Sequence, residues 1–204
     1  MRSTLLLLST VMPPLFLSAP AIAGPQAAQG WYNERGYVEP AGDRIIACHG
    51  YGCTRRLALS VDGSLLNRAS GVLRSAQGSP ATERQALAEV IRSYTAYLAA
   101  SLGGKPDVPG SPPQMSGVHG QMDCLDETAN TTSLLLVLQE HGLLAHHVVE
   151  HPESRGFFFD GRYPHFTAVI TEKQTGAEWA VDPWKKAPGQ RPEILPLDRW
   201  RQDS

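Results

Sequence analysis

Apolar positions along this chain follow two periods, and their alternation lays out most of the elements. Leu87, Val90, Ile91, Tyr94 and Leu98 recur at helical spacing. They predict a buried stripe on a helix that opens at Ser79, takes Pro80 in its first turn and stops at Gly103-Gly104 after about Leu102. A shorter helix is expected over Ser64 to Ala76, after the Asp62-Gly63 break. Another runs from Cys124 to about His141, with Asp123 as its cap, Gly142 as its left-handed stop, and Leu125, Ala129, Leu135, Leu136 and Leu138 available to pack inward. Branched and alternating residues read as strands over Arg44 to Cys48, Thr54 to Val61 and Leu144 to Glu150. His165 to Glu172 and Glu178 to Asp182 form a hairpin around Lys173-Gln174-Thr175-Gly176. Opposite residues of an antiparallel pair keep a constant index sum, so a turn pairing Lys173 with Gly176 sets Asp182 against Thr167. His165 and Asp182 then share a face within diagonal reach.

The intervening stretches carry other signals. Residues 103–120 are too rich in Gly and Pro for regular structure and lead straight into Cys124, as an approach to an active-site cleft would. Residues 24–43, rich in Gly, Pro, Ala and Gln, read as an extended N-terminal segment. Residues 1–23 combine an early Arg2, an apolar run from Leu5 to Leu17 and a small-residue Ala21-Ile22-Ala23 ending, the pattern of a secretory signal peptide cleaved after Ala23. No later run approaches the roughly 20 apolar residues that cross a bilayer. The expectation is a periplasmic or secreted chain with no membrane association after cleavage and one domain over 44–204.

Composition removes some functions. Loss of Arg2 takes the 18 Lys and Arg to 17 against 20 acidic residues, a net charge of about −3 and no footprint for nucleic acid. An oxidising compartment makes cysteine parity informative. Cys48 and Cys53 flank a reversal containing Gly50 and Gly52 and are natural disulfide partners. Their competing use as metal ligands with His49 would need a fourth donor at no fixed spacing. Cys124 is left as the odd thiol.

That thiol sits where chemistry would want it. In the first turn of a helix, unsatisfied amides and the helix dipole favour a thiolate, and the same amides could hold a developing oxyanion. His165 follows as a base and Asp182 as the acid that orients it, leaving one imidazole nitrogen for Cys124.

Asp123-Cys124-Leu125-Asp126 at a helix start, His141-Gly142-Leu143 at its end, then His165-Phe166-Thr167-Ala168-Val169 and Trp179-Ala180-Val181-Asp182-Pro183 together resemble the transglutaminase-like cysteine peptidase superfamily. The Asp-Cys-x-Asp run is similar to its bacterial exported branch. The resemblance covers about residues 118–185. It implies a papain-like α+β core in which the nucleophile helix packs on an antiparallel sheet. It also implies that Cys124 attacks an amide carbonyl to form a thioester, His165 shuttles the proton and Asp182 orients the ring. Water or an amine would then accept the acyl group of a peptide or protein substrate, with no cofactor. Leu125 stands where protein-crosslinking members carry an aromatic residue, which favours hydrolysis, and Gln121 is a candidate oxyanion donor.

His146, His147 and His151 cluster in sequence, but adjacent strand residues point to opposite faces, which makes a shared metal awkward. Asp126 and Glu127 read as exposed acids at the favourable end of a helix rather than as calcium ligands. Phe157-Phe158-Phe159 is expected in the core or lining the cleft. Besides the cysteine hydrolase or acyl transferase, the alternatives are a catalytically silent peptide-binding or structural domain on the same fold, and unrelated metal or acetyl-transfer chemistry.

Overall fold

A computed structural model describes residues 25–61, 63–156 and 164–203. The signal-peptide reading of residues 1–23 and the Phe157-Phe158-Phe159 run lie outside the described residues. The chain is an α+β protein. Its elements are α1 (Pro25–Arg35), β1 (Arg44–His49), β2 (Arg55–Ser60), α2 (Gly63–Ser75), α3 (Pro80–Leu102), α4 (Cys124–Glu140), β3 (His147–Arg155), β4 (His165–Glu172), β5 (Glu178–Asp182), β6 (Glu193–Pro196) and α5 (Leu197–Gln202). Among the described residues, β1 and β2 form an antiparallel hairpin, and β3-β4-β5-β6 form an antiparallel sheet in that spatial order.

The helices begin where local chemistry says they should. Ser79 and Thr82 close a reciprocal capping box at the start of α3, and Asp123 and Asp126 do the same for α4. The α3 stripe of Leu87, Val90, Ile91, Tyr94 and Leu98 is buried as the spacing requires. The polar side chain of Glu83 is buried with it. Its carboxylate accepts from the backbone amides of Ala145, His146 and His147 and from His147 Nδ1 at 2.8 Å, so it pins the entry into β3.

The β4–β5 register is the one the index sum gives: Ala168 pairs with Val181 and Val169 with Ala180, which sets Thr167 against Asp182. Side-chain alternation then sorts the sheet. Ala168, Ile170 and Val181 join the main core with α4, while Val169 and Ala180 join Leu197 and Trp200 of α5. β3 starts later than its apolar pattern suggests and runs on to Arg155 through a register shift between Glu150 and Glu153. The shift accommodates Pro152, which cannot donate to a ladder.

Residues 25–35 correct the expectation of an extended N-terminal segment. They form α1, which packs on β3 and α4 and buries Trp31 and Tyr32. Tyr32 donates its hydroxyl to the Ala129 carbonyl at 2.6 Å and lies 2.8 Å from Ser133 Oγ. The composition of this segment gives little amphipathic signal, and tertiary burial of its two aromatic residues supplies what local pattern does not. No helix among the described residues is long and apolar enough to cross a membrane.

Candidate active site

Cys124 is the first residue of α4 and the one free cysteine among the described residues. The start of that helix is held from outside by the β1–β2 turn. Gly50, Tyr51, Gly52 and Cys53 all have positive φ (84°, 69°, 64° and 58°), a left-handed run that aims successive amides in one direction. Tyr51 N and Cys53 N donate to Asp126 at 2.8 and 2.6 Å, and Gly52 N donates to Asp123 at 2.9 Å. Two non-glycine residues in this region cost about 1–2 kcal/mol each, and the Cys48–Cys53 disulfide closes the turn that contains them. Asn130 ties the same hairpin to the next turn of α4, accepting from Cys48 N and donating to the Cys48 carbonyl.

His165 and Asp182 meet as the hairpin register requires. His165 Nε2 donates to Asp182 Oδ2 at 2.6 Å, and both side chains are buried. Asp182 also accepts from the Trp200 indole at 2.8 Å and from the Trp184 amide at 3.1 Å. Burial alone would raise this carboxyl, but the His165 hydrogen bond, the His165 charge and then the Trp200 and Trp184 donors outweigh it. Asp182 is held below the ordinary carboxylate value. The His165 ring lies 4.1 Å from the Trp184 ring and 5.5 Å from the Trp200 ring. Its other nitrogen, Nδ1, is buried without a hydrogen-bond partner among the described residues. With Nε2 donating to a carboxylate, neutral His165 presents Nδ1 as an acceptor.

Cys124 is 6% exposed, and its S–H donates weakly to the Pro164 carbonyl, 4.0 Å away. It therefore lies against the start of β4, next to His165 in sequence and near enough for Asp182 to act on it, but hydrogen-bonded to the backbone and not to the imidazole. Burial pushes its thiol up to about 12; an amide hydrogen bond from Phe166 opposes this, and the charges of Asp123, Asp182 and Glu127 add to it.

Gln121 is brought to the same neighbourhood with its amide already committed. It donates to the Lys105 and Pro106 carbonyls and accepts from Val108 N, so it folds the 103–120 loop and its N–H groups do not face the thiol. In the first turn of α4, Asp126 N is held by Asp123 Oδ1 and Glu127 N by the Asp123 carbonyl, which leaves the Cys124 and Leu125 amides as candidate donors for an oxyanion. Asp126 and Glu127, expected as exposed acids, are instead buried at the helix start together with Asp107, because the β1–β2 turn and the 103–120 loop pack over them. Burial raises Asp107 to about 6 despite hydrogen bonds from Met122 and Val108 amides, and raises Asp126 to about 7 with help from Asp123. Glu127 is pushed well above the carboxylate range by burial and then by Asp107, Asp182, Asp126 and Asp123, and its Oε2 has no partner among the described residues.

The histidines that cluster in sequence separate in space. His147 is buried between Glu83 and Arg84, His146 Nε2 meets the Gln77 carbonyl, and His151 Nδ1 meets the Pro152 carbonyl. Sequence reasoning passed over Trp184 and Trp200. Trp184 adjoins the Asp182-Pro183 motif and could have been noticed there; Trp200 carries no positional signal, since it comes from α5, beyond the hairpin. Comparison of the chain with protein-family models, curated proteins and solved structures returned no match.

Proposed function

We propose that this chain is an exported cysteine hydrolase or acyl transferase of the transglutaminase-like kind, with a papain-like core, acting on amide or peptide bonds. The observation that carries the reading is the buried His165–Asp182 pair beside the start of the Cys124 helix, with Nδ1 unpartnered among the described residues. Asp182 fixes the tautomer in which Nδ1 can accept the thiol proton. In this reading Cys124 Sγ leaves its weak bond to the Pro164 carbonyl and gives its proton to that nitrogen. The burial that penalises a lone thiolate then favours proton transfer within the site, because the imidazolium formed is flanked by Asp182 on one side and the thiolate on the other. The thiolate adds to the substrate carbonyl, the Cys124 and Leu125 amides receive the oxyanion, and His165 returns the proton to the leaving amine as the thioester forms. Water attack on the thioester completes hydrolysis, which Leu125 favours over crosslinking. The Cys48–Cys53 disulfide is consistent with export.

The raised thiol and its bond to the Pro164 carbonyl favour a second reading, a peptide-binding domain on the same fold without turnover. The pH dependence of iodoacetamide labelling at Cys124, compared with His165→Ala, separates the two. Labelling that persists well below the free-thiol value of about 8.5 and collapses in the variant supports the hydrolase. Slow labelling indifferent to His165 supports the binding domain.

A further inference from the structure

A cleft of about 400 Å³ opens beside the site, lined by Tyr51, Gly110, Ser111, Pro113, Ser116 and Trp184. Its size suits a side chain or small ligand group. Trp184 is shared: the ring that lines the cleft also packs on His165 at 4.1 Å, so an occupant of the cleft sits one indole away from the imidazole. The walls are built deliberately. Tyr51 (φ 69°) and Ser111 (φ 51°) are non-glycine residues held in the left-handed region, and such strain persists where surrounding structure over-determines it, most often at binding sites. Trp184 donates its indole N–H to Ser111 Oγ at 2.6 Å, Gly110 N donates to the Trp184 carbonyl at 2.9 Å, and Tyr51 donates its hydroxyl to the Pro112 carbonyl at 2.8 Å.

The same bonds define what the cleft can hold. Among the described residues no Lys, Arg, Asp or Glu lines it, so the described walls offer no partner to a charged group. Most of its polar side chains are already engaged: Ser111 Oγ accepts from Trp184 and donates to the Met122 carbonyl, and the Tyr51 hydroxyl is spent on Pro112, which among the described lining leaves the Ser116 hydroxyl at the exposed mouth. A sugar ring would stack on Trp184 but leave its hydroxyls short of partners, at the usual cost of unpaired polar groups. A flat apolar ring needs none, and offset or edge contact with Trp184 and Tyr51 favours it. We infer that this cleft is the substrate subsite of the chain and takes an aromatic side chain of a peptide next to the reacting carbonyl. The assignment rests on Cys124 being the nucleophile.

Two thiol-directed probes test it on the full oxidised protein: the chloromethyl ketones of N-acetylphenylalanine and N-acetylalanine, each alkylating Cys124 with loss of chloride, followed by intact mass. The phenylalanyl reagent is expected to react at least tenfold faster than the alanyl one. Ser116 is exposed, and Ser116→Trp, which fills the cleft mouth, should bring the phenylalanyl rate down to the alanyl rate when each is normalised to the variant's own iodoacetamide rate. Equal rates for the two reagents in the unsubstituted protein overturn the subsite whatever the variant does. Protection of Cys124 by N-acetylglucosamine and not by N-acetylphenylalanine amide overturns the aromatic occupant. Iodoacetamide labelling that ignores His165 removes the nucleophile reading itself, a failure distinct from equal reagent rates in a protein whose labelling does depend on His165.

Discussion

At the scale of single residues, the His165 imidazole, the Trp200 indole and the Trp184 amide all donate to Asp182, and the depression of that carboxyl is their joint effect. A depressed carboxyl contributes stability that is present above its unfolded value of about 3.9 and is lost as pH falls through its folded value. Trp200→Phe keeps most of the apolar ring and deletes the donor. Loss of a hydrogen bond to a buried charge should cost about 1–3 kcal/mol at neutral pH, read from urea denaturation. The difference between the two proteins should shrink towards pH 2 as Asp182 is protonated in both. A difference constant with pH would mean that the indole acts only through packing. Arg155, which also donates to the Trp200 carbonyl and lies 4.5 Å over its ring, holds the indole in place for this bond.

At the scale of elements, the β1–β2 turn and the start of α4 form one unit. The capping box alone would order the first turn of the helix, but Asp123 and Asp126 also accept the amides of Tyr51, Gly52 and Cys53. The disulfide therefore reaches the candidate nucleophile through the carboxylates that flank it. Closing so short a loop is worth about 2 kcal/mol by loop entropy. Replacing both Cys48 and Cys53 with Ser should lower stability by about that amount, measured as a shift in urea midpoint. It should also change the Cys124 labelling rate, which a disulfide acting only on the unfolded chain would leave untouched. An unchanged labelling rate would separate the turn from the site.

At the scale of the whole molecule, buried acids set the pH response. Asp107, Asp126 and Glu127 have folded values above their unfolded ones, so their contribution is full below about pH 4 and is lost as pH rises through the folded values, about 6 and 7 for the two aspartates. Asp182 and Glu83 are depressed and lose their contribution as pH falls below the unfolded carboxylate range. His49, lowered by burial and then by His119 and Arg55, opposes the three raised acids as one group against three, losing its contribution as pH falls below about 6.5. Stability should therefore peak on the acid side of neutrality and decline between about pH 5 and pH 7. Glu127→Gln, which keeps the shape and removes the ionisation, should flatten that decline. Urea midpoints at several pH values in that range check both statements, and a midpoint that rises with pH would contradict them. The same scale explains α1, whose Trp31 and Tyr32 are buried against β3 and α4 although the segment carries no strong helical pattern.

What the sequence determined by itself is what local physics controls. Capping residues, glycine stops and apolar spacing placed α2, α3 and α4, and the turn at Lys173–Gly176 set a register that puts His165 within reach of Asp182. The short Cys48–Cys53 separation likewise allowed the disulfide to be read directly. Contacts distant in sequence were decided only by tertiary structure. α1 forms because the core accepts its aromatic residues, and Glu83 is buried because the amides at the entry to β3 need an acceptor. Gln121 turns to the loop carbonyls, and Trp200 reaches Asp182 from a helix beyond the hairpin. The raised Cys124 thiol also belongs to this class, since desolvation depends on what packs around a side chain and no local pattern encodes that.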